Sequence, residues 1–368
     1  MRLWQLTKEE KIMRKNLGRK ILSVVLTGVL AFNVLGCGSD KTSTDTEKKT
    51  NEKEATSTKD TAENSELQPF RIGIGGSDGG GIEEGAALAI DNGYFEEELK
   101  AVGYYPEYVY FTGAGPEINE AFAGGSLDAA IVGDFPTFTA KSNGIDNTII
   151  AETNQKVNYG ILTTVKDAKT IEDLKDYTAV VYGGSITQYF WQNYLKKKGI
   201  AEDEIASVNS TDATTLLSSN DAQIYPVTAY MSYYLESTGL GHVIDTSDAG
   251  IWTTFVFEAR TDLLKENREI GVAVNKALIR AAKEAKKNPQ SVYDALASEN
   301  VSAEAWEKYY SPDPTLSNLS PEITDEIIEY YKDEAQWMLD NGIITNPVDV
   351  DTFVDASYYE KAKEALGK

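Results

Sequence analysis

The spacing of apolar and polar positions divides the chain into an N-terminal apolar run, a polar segment and a long region of alternating elements. The apolar run extends from Ile21 to Leu35, follows a cluster of Lys and Arg residues, and ends just before Cys37. A basic segment, a short apolar segment and a small residue before a cleavage point are typical of a secretory signal peptide. A membrane-spanning helix needs about 20 apolar residues, and this run is shorter. We therefore expect residues 1–36 to be a signal peptide.

The polar segment that follows predicts a disordered tether. Residues 38–68 are dominated by Lys, Glu, Asp, Thr, Ser and Asn and contain no aromatic residue. Such a segment cannot bury enough apolar surface to offset the entropy that it loses on ordering. We therefore assign residues 37–69 to a tether. Acidic residues upstream of the basic cluster leave the translation start open between Met1 and Met13.

From residue 70 onward, short apolar strands alternate with helical segments. Each strand is followed by a helix, and a glycine or a proline lies at one end of that helix. The predicted strands are 70–74, 108–111 and 127–132, and the predicted helices cover 82–92 or begin at Gly115 and Asp134. This alternation predicts an α/β fold with mixed, mostly parallel sheets flanked by helices.

The alternation continues less regularly to residue 258, and the remaining chain has only helical patterns. Further strands are expected at 159–165, 179–182 and 253–258, and helices at 171–175 and 187–198. The assignment of 214–219, 225–238 and 243–244 stays open. Helices are predicted over 270–287, 320–342 and 358–366.

Charge and cysteine content narrow the possible partners. The chain has 58 acidic and 35 basic residues and a formal net charge of −23. Such acidity disfavours nucleic acid and anionic lipid as partners. Because Cys37 is the only cysteine, the chain has no disulfide of its own, and its stability must come from a core. A chain of about 300 residues can bury one, most simply in two lobes.

The inventory of reactive side chains disfavours several kinds of active site. His242 is the only histidine, so zinc and iron sites of familiar spacing lack their ligands. A Ser-His-Asp triad would have to use His242, which a surface or structural role explains better. The glycine-rich segment after the first strand is not a P-loop, and Asp78 stands where a dinucleotide fingerprint needs glycine. We therefore predict no cofactor, no metal and no enzyme activity.

Four loops between strands and helices form the candidate binding site. Such loops present free backbone N–H groups and the positive end of a helix dipole, and ligands bind at this edge of open α/β sheets. The loops cover residues 75–81, 113–116, 133–136 and 183–187. Helix capping would explain Asp134, Ser185 and Thr187 equally well, so both roles stay open. Tyr159 and Trp252 belong either to the core or to the wall of a pocket.

Several of these segments together resemble a known family. Gly113–Pro116, Ala121–Asp128 and Gly133–Pro136 resemble the first lobe of ABC-transporter substrate-binding proteins in the aliphatic sulfonate, taurine and nitrate group. Ala89–Phe95 is similar to that group's helix ending in Gly-Tyr/Trp-Phe, and Gly184-Ser185 fits its second-lobe loop. The group shares its fold with proteins that bind the thiamine pyrimidine precursor.

The resemblance implies a two-lobed type II periplasmic-binding-protein fold with the ligand in the cleft between the lobes. Lobe I would comprise residues 70–158 and 259–368, and lobe II residues 159–258. The ligand-binding residues would be Ser77, Asp78, Gly79, Gly113, Gly133, Asp134, Ser185, Thr187, Tyr159 and Trp252. The expected function is that of an extracytoplasmic receptor that captures a small solute by hinge closure and delivers it to an ABC permease.

Cys37 also resembles the lipid-attachment cysteine of bacterial lipoproteins. This resemblance implies a monomer that an N-terminal lipid anchors to the extracytoplasmic face of the cell membrane. The sequence departs from the sulfonate group at Gly184–Gln188, and no arginine lies in the candidate loops to pair with a sulfonate. The solute therefore stays open between a sulfonate, taurine or nitrate and a thiamine pyrimidine precursor or other heterocycle. A secreted enzyme and a sensory module are the remaining alternatives.

Overall fold

The computed structural model of the protein describes residues 67–77, 80–81, 84–111, 114–298 and 301–367. The expected signal peptide, the expected tether up to residue 66, and the predicted site residues Cys37, Asp78, Gly79 and Gly113 lie outside the described residues. The described residues include no helix that is long and apolar enough to cross a membrane.

One part of the sheet consists of parallel strands that alternate with helices. Its parallel strands are β1 (Gln68–Ser77), β3 (Tyr104–Phe111) and β4 (Ala129–Gly133), and β2 (Gly80–Gly81) folds back antiparallel along β1. Ile72 of β1 lies opposite both Tyr108 and Ala129, so β1 occupies the middle. Ile72 is fully buried, as expected for a strand with both faces covered.

The helices of this part lie between its strands. They are α1 (Ala87–Asp91), α2 (Tyr94–Lys100), α3 (Ala114–Ala123) and α4 (Asp134–Ser142). Gly93 turns the chain between α1 and α2 with a φ of 69°, a left-handed conformation that glycine adopts without steric cost.

The rest of the sheet is joined to the first part by two long antiparallel strands. The remaining strands are β5 (Asn147–Thr163), β6 (Thr178–Val180), β7 (Ala206–Val208), β8 (Ile224–Thr228), β9 (His242–Asp245) and β10 (Trp252–Arg260). β10 lies between β4 and β5, and the far end of β5 pairs with β8 and β9. β6 pairs in parallel with β7 and β8. Apart from the short β2, the sheet is therefore parallel within each part and antiparallel along β5 and β10.

The remaining helices cover the sheet. Those between β6 and β9 are α5 (Ile186–Lys198), α6 (Ala213–Ser219) and α7 (Ala229–Ser237). Those after β10 are α8 (Thr261–Glu266), α9 (Glu269–Lys287), α10 (Pro289–Leu296), α11 (Ala303–Tyr310), α12 (Asp325–Asp340), α13 (Val350–Phe353) and α14 (Ser357–Ala365). Short 3₁₀ turns cover Glu84–Ala86, Ile171–Leu174, Glu202–Glu204, Ser247–Ala249 and Ser317–Leu319.

Aromatic side chains anchor three buried clusters. One cluster packs α9 on β1, where the rings of Phe70 and Phe257 are 6.5 Å apart. A second packs α12 against α4 through Tyr331 and Phe138, with ring centroids 5.4 Å apart. A third holds α5 on β5 around Phe190. Fully burying a phenylalanine contributes roughly 1.5–3 kcal/mol, so these contacts fix α5 and α12 next to the sheet.

The α/β alternation expected from the sequence is confirmed, with several changed boundaries. Strand β5 begins twelve residues before the predicted Tyr159, and α2 was not predicted. The open segments are α6, then β8 followed by α7, then β9. The prediction that Ser320-Pro321 begins a long helix is wrong, because α12 begins at Asp325.

Candidate functional site

Asp134 lies where β4 ends and α4 begins, and its carboxylate links three elements. One oxygen accepts a hydrogen bond from the backbone N–H of Phe135 at 2.8 Å. The other accepts from the N–H of Thr254 in β10 at 2.7 Å and from the hydroxyl of Tyr330 in α12 at 2.9 Å. The N-cap residue of α4 is Gly133, so Asp134 is not the cap that the sequence left open. Its contacts instead fix β10 and α12 against the start of α4.

Two further carboxyl groups lie beside Asp134, and together the three form what we term the carboxylate cluster: Asp134, Glu152 and Glu334. The exposed fractions of the three residues are 1%, 0% and 0%. Glu152 in β5 accepts a hydrogen bond from the hydroxyl of Tyr331, and that hydroxyl lies 2.9 Å from Oγ1 of Thr254. Neither oxygen of Glu334 has a hydrogen-bond partner by distance among the described residues.

Burial raises the pKa of every member of the carboxylate cluster. Removal from water raises the pKa of Asp134 to about 6, although the hydrogen bonds from Thr254 and Tyr330 act in the opposite direction. Burial also raises the pKa values of Glu152 and Glu334 well above the ordinary range, and the charge of Asp134 adds to both shifts. The hydroxyl of Tyr330 acts to lower the pKa of Glu334, while its hydrogen bond goes to Asp134. Of the three groups, Asp134 therefore ionises most readily.

Four half-buried aromatic side chains surround the carboxylate cluster, and we term them the aromatic cover: Tyr189, Trp252, Tyr330 and Trp337. The rings of Trp252 and Tyr330 are 4.2 Å apart. Tyr189 meets Trp337 edge-on at 5.0 Å and Tyr330 at 6.5 Å. Tyr189 belongs to α5 in the second part of the sheet, whereas Tyr330 and Trp337 belong to α12. Burial raises the pKa of Tyr189 above its ordinary value, and the charges of Glu334 and Asp134 add to this shift.

Ser185 and Thr187 lie at the beginning of α5, two turns or less from Tyr189. Ser185 occupies the N-cap position, but its hydroxyl donates to the carbonyl of Tyr182 at 2.6 Å and makes no capping bond. Thr187 is half-buried. Within the described residues, no hydrogen bond links Ser185 or Thr187 to the carboxylate cluster. Among the predicted site residues, the structure therefore places Gly133, Asp134, Tyr159 and Trp252 near one another. Ser185 and Thr187 lie farther from this group.

The two aromatic candidates differ in their surroundings. Tyr159 is 2% exposed and stacks on Phe190 with a centroid separation of 4.4 Å, but the charge of Asp134 adds to the burial that raises its pKa. Trp252 is half-buried and lines a cavity of about 310 Å³ with residues that include Lys156 and Asn158. Tyr159 is thus a core residue next to the site, and Trp252 lies on a surface that a ligand can reach.

Ser77 is the remaining predicted site residue in the described part of the chain. Ser77 ends β1 at the same edge of the sheet as Gly133. The described residues include no group of three or more His, Cys, Asp or Glu side chains arranged to hold a metal. His242 lies with Nε2 2.7 Å from the carbonyl oxygen of Ala168, which agrees with a structural role.

Comparison with protein families gives a match over most of the described core. The family described as NMT1/THI5 like matches residues 84–292, which is more than half of the chain. The chain belongs to the NMT1/THI5-like family. A comparison with curated proteins finds no match.

Solved structures agree with the assignment to the NMT1/THI5-like family. The chain is similar to the putative periplasmic sulfonate-binding protein SsuA from Methylobacillus flagellatus KT, with 23% identity, coverage of 82% of this chain and 95% of that chain, and a TM-score of 0.71. It is also similar to the periplasmic nitrate-binding protein NrtA from Synechocystis PCC 6803, with 13% identity, coverage of 82% and 89%, and a TM-score of 0.61. The predicted fold, a type II periplasmic-binding-protein fold, is confirmed.

The same fold also occurs in an enzyme. The chain is similar to the desulfurization enzyme DszB in complex with biphenyl-2-sulfinic acid, with 13% identity, coverage of 81% of this chain and 100% of that chain, and a TM-score of 0.64. The likeness shows the fold alone, so neither binding nor catalysis follows from it.

Proposed function

We propose that this NMT1/THI5-like protein is the extracytoplasmic solute receptor of an ABC importer. Two observations together carry the proposal: family membership over residues 84–292, and a buried polar cluster next to the carboxyl end of β4, where Asp134 begins α4. Ligands of open α/β sheets bind at this edge. The titles of the similar proteins SsuA and NrtA describe periplasmic binding of sulfonate and of nitrate.

The proposed receptor works as a clamp. Lobe I would comprise residues 70–158 and 259–368, and lobe II residues 159–258, with β5 and β10 as the connecting strands. Contacts between Tyr189 of α5 and the α12 residues Tyr330 and Trp337 would close the cleft over a bound solute. Closure would then present the solute to the transmembrane subunits of a permease.

The proposed location is the extracytoplasmic face of the cell membrane. The apolar run before Cys37 would direct secretion, and a lipid on Cys37 would anchor the mature chain to the membrane. The proposed receptor is a monomer. The polar tether would let the receptor reach the permease without detaching.

A secreted enzyme is the second candidate, because DszB shares the fold. Against it, Cys37 and His242 are the only cysteine and histidine in the chain, and His242 already contacts the backbone of Ala168. A binding protein for a thiamine pyrimidine precursor and a sensory module both keep the proposed binding role and differ in the solute or in the partner.

A thermal-shift screen of the purified chain tests the proposal. The solutes are ethanesulfonate, taurine, nitrate, bicarbonate, simple pyrimidines and small amines, since a ligand that binds only the folded state raises the melting temperature. Asp134→Asn should change the affinity of a charged stabilising solute about tenfold, downward for a cation and upward for an anion, because it removes negative charge from the site. Asp146→Asn, which changes an exposed aspartate near Lys141, is the matched control. A chain that no solute stabilises contradicts the receptor proposal.

A further inference from the structure

Glu334 is a buried acid without a partner on the apolar side of α12. Its exposed fraction is 0%, and neither carboxylate oxygen has a hydrogen-bond partner among the described residues. The hydroxyl of Tyr330 opposes the rise of the pKa of Glu334, but it donates its hydrogen bond to Asp134 at 2.9 Å. Leaving a buried polar group unsatisfied costs about 1–3 kcal/mol, and more for a charged group. An unsatisfied buried group in a native structure calls for an explanation, and a bound ligand or ion that supplies the missing partner is one such explanation.

The surroundings of Glu334 contain acids and hydroxyl groups, and basic groups are missing from the contacts of the described residues. No Lys, Arg or His of the described chain forms an ion pair with Asp134, Glu152 or Glu334; the described ion pairs involve other acids, such as Glu326 with Lys156. The internal segments 78–79, 82–83 and 112–113 also contain no basic residue in the sequence. The partner that Glu334 lacks therefore does not come from this part of the chain.

The aromatic cover adds a second preference for positive charge. Trp252 and Tyr330 lie 4.2 Å apart, and Tyr189 and Trp337 meet at 5.0 Å beside them. The negative faces of such rings attract cations, with the strongest interaction at tryptophan. The ammonium of Lys156 already lies over the Trp252 ring, 5.7 Å from its centroid. An anion beside the carboxylate cluster would be repelled by its ionised members.

We infer that the solute of this receptor carries a positively charged nitrogen with N–H donors, which binds Glu334 and Asp134 beneath the aromatic cover. The inference rests on the proposed receptor function and names the class of solute, an organic ammonium or amidinium. The route to Glu334 would open when Tyr189 of α5 moves away from Tyr330 and Trp337 of α12. A sulfonate or nitrate, the ligands in the titles of SsuA and NrtA, would not satisfy this site.

We expect binding of a cation at this site to release protons. Burial raises the pKa values of Glu334 and Glu152 well above the ordinary range and raises the pKa of Asp134 to about 6. A cation favours the ionised carboxylates and lowers these pKa values. The titratable groups that face Glu334 are the other cluster acids on α4 and β5, together with Tyr159 of β5, Tyr189 of α5, Tyr330 and Tyr331 of α12. The tyrosines stay neutral, so the carboxyl groups supply the protons.

The experiment compares benzamidine and butylamine with ethanesulfonate on the full chain. Thermal shift reports binding, and a pH-stat titration in unbuffered salt solution reports protons taken up or released. We expect an amine to raise the melting temperature and to release protons near pH 7. Glu334→Gln keeps the size of the side chain and should weaken amine binding at least about tenfold. Glu329→Gln, an exposed position on the same helix, should leave amine binding unchanged.

Three results would overturn the inference, and each is distinguishable from failure of the receptor proposal. Stabilisation by ethanesulfonate with no effect of either amine would leave the receptor function standing and refute the cationic solute. Proton uptake on amine binding, or equal amine affinity in the Glu334→Gln and parent chains, would place the amine elsewhere. If no solute of this set or of the wider screen stabilises the chain, the receptor function itself is wrong.

Discussion

At the scale of single residues, Glu258 couples stability to pH without any role in the candidate site. Its side chain in β10 is fully buried and accepts a hydrogen bond from the amide of Asn147. Burial raises its pKa from the ordinary 4.5 to about 7, although Asn147 and the charge of Lys141 oppose the shift. Between these pH values the unfolded chain ionises Glu258 while the folded chain keeps it protonated. The contribution of Glu258 to the free energy of unfolding therefore falls as pH rises through this window.

Glu258→Gln should remove this loss, since an amide of the same shape never ionises and still accepts from Asn147. At pH 8 we expect the free energy of unfolding to exceed that of the parent chain by about 3 kcal/mol. At pH 4 the two chains should differ little. Urea denaturation at both pH values measures the difference. Glu360→Gln, at an exposed position beside Lys363, is the control, and a constant difference between Glu258→Gln and the parent chain across pH would contradict the argument.

The sequence pointed to Asp134 but not to Glu334 or Glu152, although one signal was present. Ile327, Tyr331, Ala335 and Met338 form the buried face of α12, and Glu334 lies on that face, seven residues after Ile327. An acid among apolar positions at helical spacing indicates a buried charge that needs a partner. No such spacing identifies Glu152, because its contacts with Tyr331 join residues far apart in the chain.

At the scale of elements, the sequence predicted strands and helices best where a single face is apolar. Strand β5 was recognised only from Tyr159 onward, because Glu152 and Asn154 are buried polar residues that break the expected alternation. Each accepts a hydrogen bond from another element: the hydroxyl of Tyr331 donates to Glu152, and the amide of Asn318 donates to Asn154 at 2.7 Å. Tertiary contacts of this kind leave no trace in the local pattern.

The start of α12 was misplaced for a similar reason. Ser320-Pro321 reads as a helix start, but the N–H of Glu152 donates to the carbonyl of Pro321 at 3.2 Å. The amide of Gln155 also donates to the carbonyl of Ser320 at 2.9 Å. These bonds hold the segment in extended form along β5, and the helix begins only after Thr324.

Thr324 is the N-cap of α12, and its hydroxyl accepts a hydrogen bond from the N–H of Ile327 at 3.4 Å. Thr324→Ala leaves that N–H without its acceptor and should lower the free energy of unfolding by about 1 kcal/mol. Thr324→Ser retains the hydroxyl and should keep most of the stability. Chemical denaturation of the three chains measures both effects. Equal losses in the alanine and serine variants would show that packing of the threonine methyl group, rather than the cap, stabilises this end.

At the scale of the whole molecule, the fold was predictable because its elements repeat a simple order. Glycine and proline at Gly93, Pro116 and Gly199 mark helix boundaries that the structure retains. The contact between α5 and α12 was not predictable from the sequence. Tyr189 and Trp337 touch in the structure, but most of the second part of the sheet lies between them along the chain. The site is assembled by that long-range packing, and its aromatic cover could therefore be found only in the structure.

The contact of Tyr189 with α12 gives a prediction for the proposed hinge motion. Tyr189→Ala removes two aromatic contacts between α5 and α12, and each such pair contributes about 0.5–1.5 kcal/mol beyond its buried area. The solute-free chain should therefore open, which small-angle X-ray scattering measures as a larger radius of gyration, and apparent solute affinity should fall about fivefold as the closed form becomes less populated. Tyr182→Ala, at a position that is 47% exposed, should change neither quantity. An unchanged radius of gyration in Tyr189→Ala would mean that the packing of β5 and β10 alone fixes the relative position of the proposed lobes.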